Sequence, residues 1–177
     1  MEITTIAESE YLGLYAKDNW YFADRPNATG VIAILPITND GQLVLVEQYR
    51  IPVQSRVIEI PAGLVGDEKE FQNESLADCA AREMLEETGY RAENITELLS
   101  SPTSAGMTPE TTHFFRATEL TRENEGGGTD SEDITVHHVA INNLADWINQ
   151  QQEAGKLIDH KIHACLFLAW QQGIIKL

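Results

Sequence analysis

The segment Arg82-Glu83-Met84-Leu85-Glu86-Glu87-Thr88-Gly89-Tyr90 constrains this chain more than any other. As a helix it places Glu83, Glu86 and Glu87 on one face, at i, i+3 and i+4. Three carboxylates that close repel and raise one another's pKa unless a cation joins them. Oxygen donors without cysteine or histidine suit Mg²⁺ or Mn²⁺ rather than Zn²⁺. Asn73 or Ser75 can cap the helix start, and Gly89 suits the left-handed residue beyond its last turn. At 100° per residue, Leu76 and Cys79 fall on the acidic side. Ala77, Ala80, Ala81, Met84 and Leu85 fall opposite, as a small-residue face for packing on a sheet. Arg82 flanks Glu86, where it can orient carboxylates. The plainer alternative is a solvated acidic face.

What precedes the helix narrows the choice. Glu74 stands eight positions before Arg82, and Ile58-Glu59-Ile60-Pro61-Ala62-Gly63-Leu64 reads as a strand entering a Pro/Gly loop. The whole resembles the Nudix box, G-x5-E-x7-R-E-U-x-E-E-x-G-U with U apolar or aromatic. The match is complete from Glu74 to Tyr90. It departs at the front, where ten residues instead of five separate Gly63 from Glu74, the excess falling in the polar stretch 65–73. Val46-Glu47-Gln48-Tyr49-Arg50 and Glu59-Ile60-Pro61-Ala62-Gly63 are similar to the ADP-ribose and nucleoside-diphosphate-sugar pyrophosphatase subgroup.

That resemblance implies an α+β Nudix fold, a mixed β-sheet core sandwiched between helices, with a small N-terminal antiparallel β element. It implies Mg²⁺ (Mn²⁺ substituting) held by the backbone carbonyl of Ala62 and by Glu83, Glu86 and Glu87. Arg50 is implied as a phosphate contact, since a guanidinium matches two phosphate oxygens, and Glu59 as a substrate-binding residue. The implied reaction is hydrolysis of the diphosphate linkage of a nucleoside diphosphate sugar, such as ADP-ribose or GDP-mannose. The alternatives are another nucleotide (a dinucleoside polyphosphate or coenzyme A) and a ligand-sensing module without turnover.

A second acidic cluster, Asp130-Ser131-Glu132-Asp133, follows three glycines, Gly126 to Gly128. Those glycines suggest a mobile loop able to bring a base to the metal. By resemblance Glu132 is the first candidate for the base and Asp130 the second, with Arg82 and Glu86 completing the catalytic set. Ser101 to Glu110 resembles the subgroup's substrate-side loop, although neither Pro102 nor Pro109 sits where ADP-ribose enzymes commonly place a proline. Glu110 is expected at the metals or the sugar, or as a turn cap.

The 177 residues fit one domain, with residues 1–29 as a dimerising N-terminal element and 30–177 as the catalytic domain. A net charge of −16 with no basic stripe argues against nucleic acid and anionic membranes as partners. Cys79 and Cys165 lie in apolar helical patterns and read as buried thiols, and the acidic start lacks a signal-peptide core, which together suggest the cytoplasm. Tyr11–Ala16 and Trp20–Ala23 read as a hairpin. Its aromatic residues need a surface, and the resemblance implies a homodimer with Trp20 or a neighbour near the nucleobase. Strands are expected at Val31–Ile37, Gln42–Gln48, Arg56–Ile60, Ile95–Ser100, Thr112–Thr118 and Ile134–Ala140. Two helices close the chain, Asn142–Glu153 and Asp159–Gln172. Ile162, Cys165, Leu166 and Trp170 read as a core or subunit stripe on the last helix.

Overall fold

The computed structural model describes residues 2–67, 69–129 and 132–176. Val31 to Leu35 is an unbroken apolar run, which suits a strand buried on both faces. It lies in β4 (Gly30–Pro36), where Ile32, Ala33, Ile34 and Leu35 have no exposed surface. Alternate β4 residues serve two cores. Ala33 and Leu35 pack with Ile58, Leu144, Ile162 and Cys165 on one side. Ile32 and Ile34 pack with Cys79, Ala80 and Met84 on the other. Helices therefore cover both sides of the β core.

Two four-stranded mixed sheets make up that core. One is ordered β7 (Ala62–Val65), β4, β9 (Thr111–Arg122), β8 (Tyr90–Pro102), with β4 and β9 parallel. The other is ordered β10 (Thr135–Ala140), β5 (Gln42–Arg50), β6 (Ser55–Glu59), β11 (Leu157–Ile158). Helix α1 is Leu76–Thr88, α2 is Leu144–Glu153 and α3 is His160–Gln171. Among the described residues no helix is long and apolar enough to cross a membrane.

The N-terminal element has one strand more than the sequence suggested. β1 (Thr4–Glu8), β2 (Gly13–Lys17) and β3 (Trp20–Asp24) form a separate antiparallel sheet. β1 is exposed along its whole length and carries too few apolar residues to signal a strand. The Ala23 amide ties this sheet to its own chain through the Met107 carbonyl at 2.9 Å. β7 was also hidden, because Pro61 and Gly63 read as loop signals. β6 ends at Glu59, and Ala62 and Gly63 then pair with Ala33 and Ile32.

Helix α1 begins and ends as its sequence dictates. The Ser75 hydroxyl accepts the Asp78 amide at 3.1 Å. Gly89 takes φ 76° and donates to the Leu85 carbonyl. The packing face, however, is rotated from the one expected. Cys79, Ala80, Met84, Glu87 and Thr88 are buried, while Ala77 and Ala81 are exposed. The reason is that the acidic face turns into the protein, toward β7, instead of outward to water. On α3, Ile162, Cys165 and Leu166 are core, but Trp170 is 49% exposed. Both cysteines are buried free thiols, and burial pushes each up to about 12.

Candidate active site

A cleft of about 880 Å³ opens between α1, β7, the end of β5 and the start of α3. Glu83, Glu86 and Glu87 line one wall with Ala62, Gly63 and Arg82, and Glu132 joins them. Arg25, Arg50, Glu59, Glu110, His160 and Lys161 also face the cleft. The structure thus assembles nearly all the residues that the sequence marked.

The acidic wall is tightly built. Gly63 lies directly beneath Glu83: a Cβ there would come within 2.1 Å of the Glu83 carboxyl carbon. Glycine is needed for that approach. Arg82 organises the carboxylates. It donates from Nη2 to Glu74 Oε1 at 2.7 Å, and from Nη1 to Glu83 at 2.9 Å and Glu86 at 3.2 Å. Phe71 lies under the same guanidinium, 4.2 Å from ring centroid to Cζ. Phe71 belongs to the stretch that lengthens the Gly63–Glu74 spacing. The longer segment therefore leaves Glu74 on Arg82 and adds an aromatic platform beneath it.

Glu87 is 4% exposed and accepts the Ala62 amide at 3.1 Å. Burial raises its pKa well above the usual carboxylate value, and Glu83 and Glu132 add to the rise. Burial likewise pushes Glu83 up to about 7, against the pull of Arg82. A cation would reverse both effects. Among the described residues no three acidic, histidine or cysteine side chains already converge as a metal cage. Glu83 and Glu86 are drawn to Arg82, and Glu87 to Ala62. These all-oxygen donors suit a hard divalent cation that keeps several waters and takes one or two carboxylates plus substrate phosphates.

Also lining the cleft, Arg50 forks onto Glu59, Nε to Oε1 at 2.6 Å and Nη2 to Oε2 at 2.8 Å. Glu59 is 3% exposed, so it serves to aim Arg50 into the cleft. Glu110, expected near metals or sugar, is bound by Arg25 Nε at 2.9 Å. Sequence reasoning missed Arg25 and the start of α3. Lys161 is held by Asp159 at 2.6 Å, and Asp159 also accepts the Lys161 amide as N-cap. An Asp before a helical pattern was the available signal.

The glycine loop docks against the helix that carries the acidic face. Gly127 and Gly128 donate to the Glu87 and Glu86 carbonyls at 2.9 and 3.0 Å, closing the C-terminus of α1. A Cβ on Gly126 would sit 2.4 Å from the Thr88 carbonyl carbon. These glycines permit close docking. The Glu132 carboxylate accepts the Thr129 amide at 2.8 Å. Asp130 lies outside the described residues. Trp20 is 61% exposed and does not line the cleft of its own chain.

Comparison with known proteins accords with this geometry. The NUDIX domain profile matches residues 26–160. The chain belongs to the Nudix family. It is 38% identical over 124 residues to a methanol dehydrogenase activator of Bacillus methanolicus, covering 70% of this chain and 64% of that protein. It is 36% identical over 126 residues to an ADP-ribose pyrophosphatase of Bacillus subtilis, again covering 70% and 64%. A GDP-mannose pyrophosphatase of Pectobacterium atrosepticum is 33% identical over 135 residues, with 71% and 67% covered. The matched region is thus somewhat under two thirds of the length of the first two relatives. A solved ADP compounds hydrolase superposes with a TM-score of 0.76 over 100% of this chain and 95% of that one. At 19% identity that likeness concerns the fold.

Proposed function

We propose that this chain is a Mg²⁺-dependent pyrophosphohydrolase that cleaves nucleoside diphosphate sugars into a nucleoside monophosphate and a sugar phosphate. The observation that carries the reading is the lining of the cleft. Carboxylates of raised pKa on α1 share it with arginines held by carboxylate partners. Such a lining suits a metal-bound diphosphate, and relatives of this chain are named as ADP-ribose and GDP-mannose pyrophosphatases.

Glu83, Glu86, Glu87 and the Ala62 carbonyl would hold the metal. A Mg²⁺ ion held there would neutralise diphosphate charge and lower the pKa of a coordinated water. Arg82 orders Glu83 and Glu86 before substrate arrives. Arg50, kept in place by Glu59, binds phosphate oxygens. Glu132 takes the proton of the attacking water, with Asp130 as the alternative base. Glu110 and Arg25 bound the substrate on the side of the N-terminal sheet.

The exposed aromatic residues of residues 1–29 support a homodimer in which Trp20 of one subunit stacks on the base bound by the other. Tyr11, Trp20 and Tyr21 are 71, 61 and 66% exposed in the single chain. Two buried thiols and a net charge of −16 suit a cytoplasmic enzyme without nucleic-acid or membrane partners. Incubation with Mg²⁺ and a panel of ADP-ribose, GDP-mannose, diadenosine polyphosphates and coenzyme A, with products weighed by mass spectrometry, tests the reading. Selective release of a monophosphate and a sugar phosphate is expected. Preferential cleavage of the last two substrates would reject it.

A further inference from the structure

Among the described residues, Glu47 is a buried carboxylate that the proposed reaction does not use. Glu47 on β5 is 5% exposed. It accepts Lys156 Nζ at 2.7 Å and faces His137 Nε2 at 2.9 Å. Arg56 Nε stands 3.6 Å from its other oxygen. With Lys156 and His137 already on Glu47, Arg56 is more than the charge balance needs. Its other donor edge reaches out of the cluster to Asp133, through Nη2.

Asp133 adjoins Glu132 and is 78% exposed in its side chain. A bridge that exposed adds little to global stability. Its position is what matters. The loop carrying Glu132 is pinned at its start, where Gly127 and Gly128 donate to the end of α1. Arg56 pins its finish, just before β10. Glu132 lies between the two pins, its carboxylate aligned by the Thr129 amide.

We infer that Arg56, seated on the buried Glu47, is a positioning residue that fixes the Glu132 loop through Asp133. This rests on the reading of Glu132 as the base. Releasing Asp133 leaves α1, Arg50 and the metal carboxylates in place but frees one end of the loop. Misplacing a catalytic group by about 1 Å can cost about 100-fold, so partial release should cost about 10-fold.

The test uses Arg56→Gln and Asp133→Asn, singly and together, with Asp133→Glu as the conservative variant and Glu132→Gln as the reference. Arg56→Gln leaves Glu47 paired with Lys156 and His137, so the fold is expected to survive. Hydrogen exchange of the Thr129 and Glu132 amides, which are bonded within the freed end of the loop, should quicken in both single variants while α1, Gly127 and Gly128 stay protected. With ADP-ribose and Mg²⁺, kcat should fall about 10-fold with KM nearly unchanged, and Asp133→Glu should recover most of the rate. The double variant should be no worse than the poorer single one, because both remove one interaction. Unchanged exchange, additive losses, or faster exchange without a fall in kcat would overturn the inference. Full activity in Glu132→Gln would show separately that the base itself had been misassigned.

Discussion

Gly63→Ala separates the architecture of the site from the stability of the fold. The new Cβ would stand 2.1 Å from Glu83 Cδ and 2.3 Å from both Cγ and Oε1. All three are far closer than any tolerated contact, so something must move. What they belong to is a flexible side chain in the cleft, so Glu83 can swing aside without disturbing β7 or α1. The fold should therefore lose only about 1 kcal/mol, at the low end for overpacking. For a chain this size that shifts the midpoint by about 2–4 °C. The carboxylate, in contrast, leaves Arg82 and the metal position. Disturbing even a supporting group costs about 10–100-fold in metal affinity, so displacing a ligand should cost at least that in kcat/KM at limiting Mg²⁺. Thermal unfolding and a Mg²⁺ titration of turnover measure the two effects on one preparation. The reasoning fails if Gly63→Ala keeps its activity and Mg²⁺ requirement within about threefold, or if it unfolds outright.

Three other outcomes follow from named contacts. Arg50→Ala strands Glu59 in a nearly closed environment and should destabilise by about 1–3 kcal/mol, with part of the loss recovered in Arg50→Ala/Glu59→Ala; denaturant unfolding reads both. For Glu47, burial acts to raise the pKa, but hydrogen bonds from Lys156 and His137 outweigh it and hold the carboxyl below its ordinary 4.5. A folded-state pKa below the unfolded one adds stability above pH 4.5 that is lost as pH falls through the folded value. The stability gap between the parent protein and Glu47→Gln should thus shrink on acidification, and a gap that is constant or grows would contradict the assignment. Trp20→Ala should raise KM more than it lowers kcat, and sedimentation should show a dimer, while a fully active monomer would rule out the shared site.

The legible parts of this chain were those in which local sequence and tertiary packing agree. Ser75, the acidic face and Gly89 delimited α1 because caps and periodicity are properties of one segment. The run Val31–Leu35 announced the central strand for the same reason. The face that α1 buries was misjudged, since a helical wheel assumes that carboxylates seek water. Glu87 is buried because β7 offers it the Ala62 amide, a partner 25 residues away. β7 itself was obscured by Pro61 and Gly63, where glycine serves the approach of Glu83 and not a turn. The docking of Gly127 and Gly128 on the end of α1 was likewise illegible, as composition does not name a tertiary partner. The links Arg50–Glu59, Arg82–Phe71 and Arg25–Glu110 are tertiary pairings, and the sequence supplied their members without their partners.

The central claim is that the acidic face of α1 works this cleft as a metal-dependent hydrolytic site. Its most direct test is the turnover of ADP-ribose and GDP-mannose at saturating Mg²⁺ by the parent protein, Glu83→Gln and Glu87→Gln, with circular dichroism confirming that all three are folded. The parent should release a nucleoside monophosphate and a sugar phosphate, and both variants should lose nearly all of that activity through kcat. Retention of Mg²⁺-dependent turnover by both folded variants, or folded parent protein that cleaves neither substrate, would contradict it.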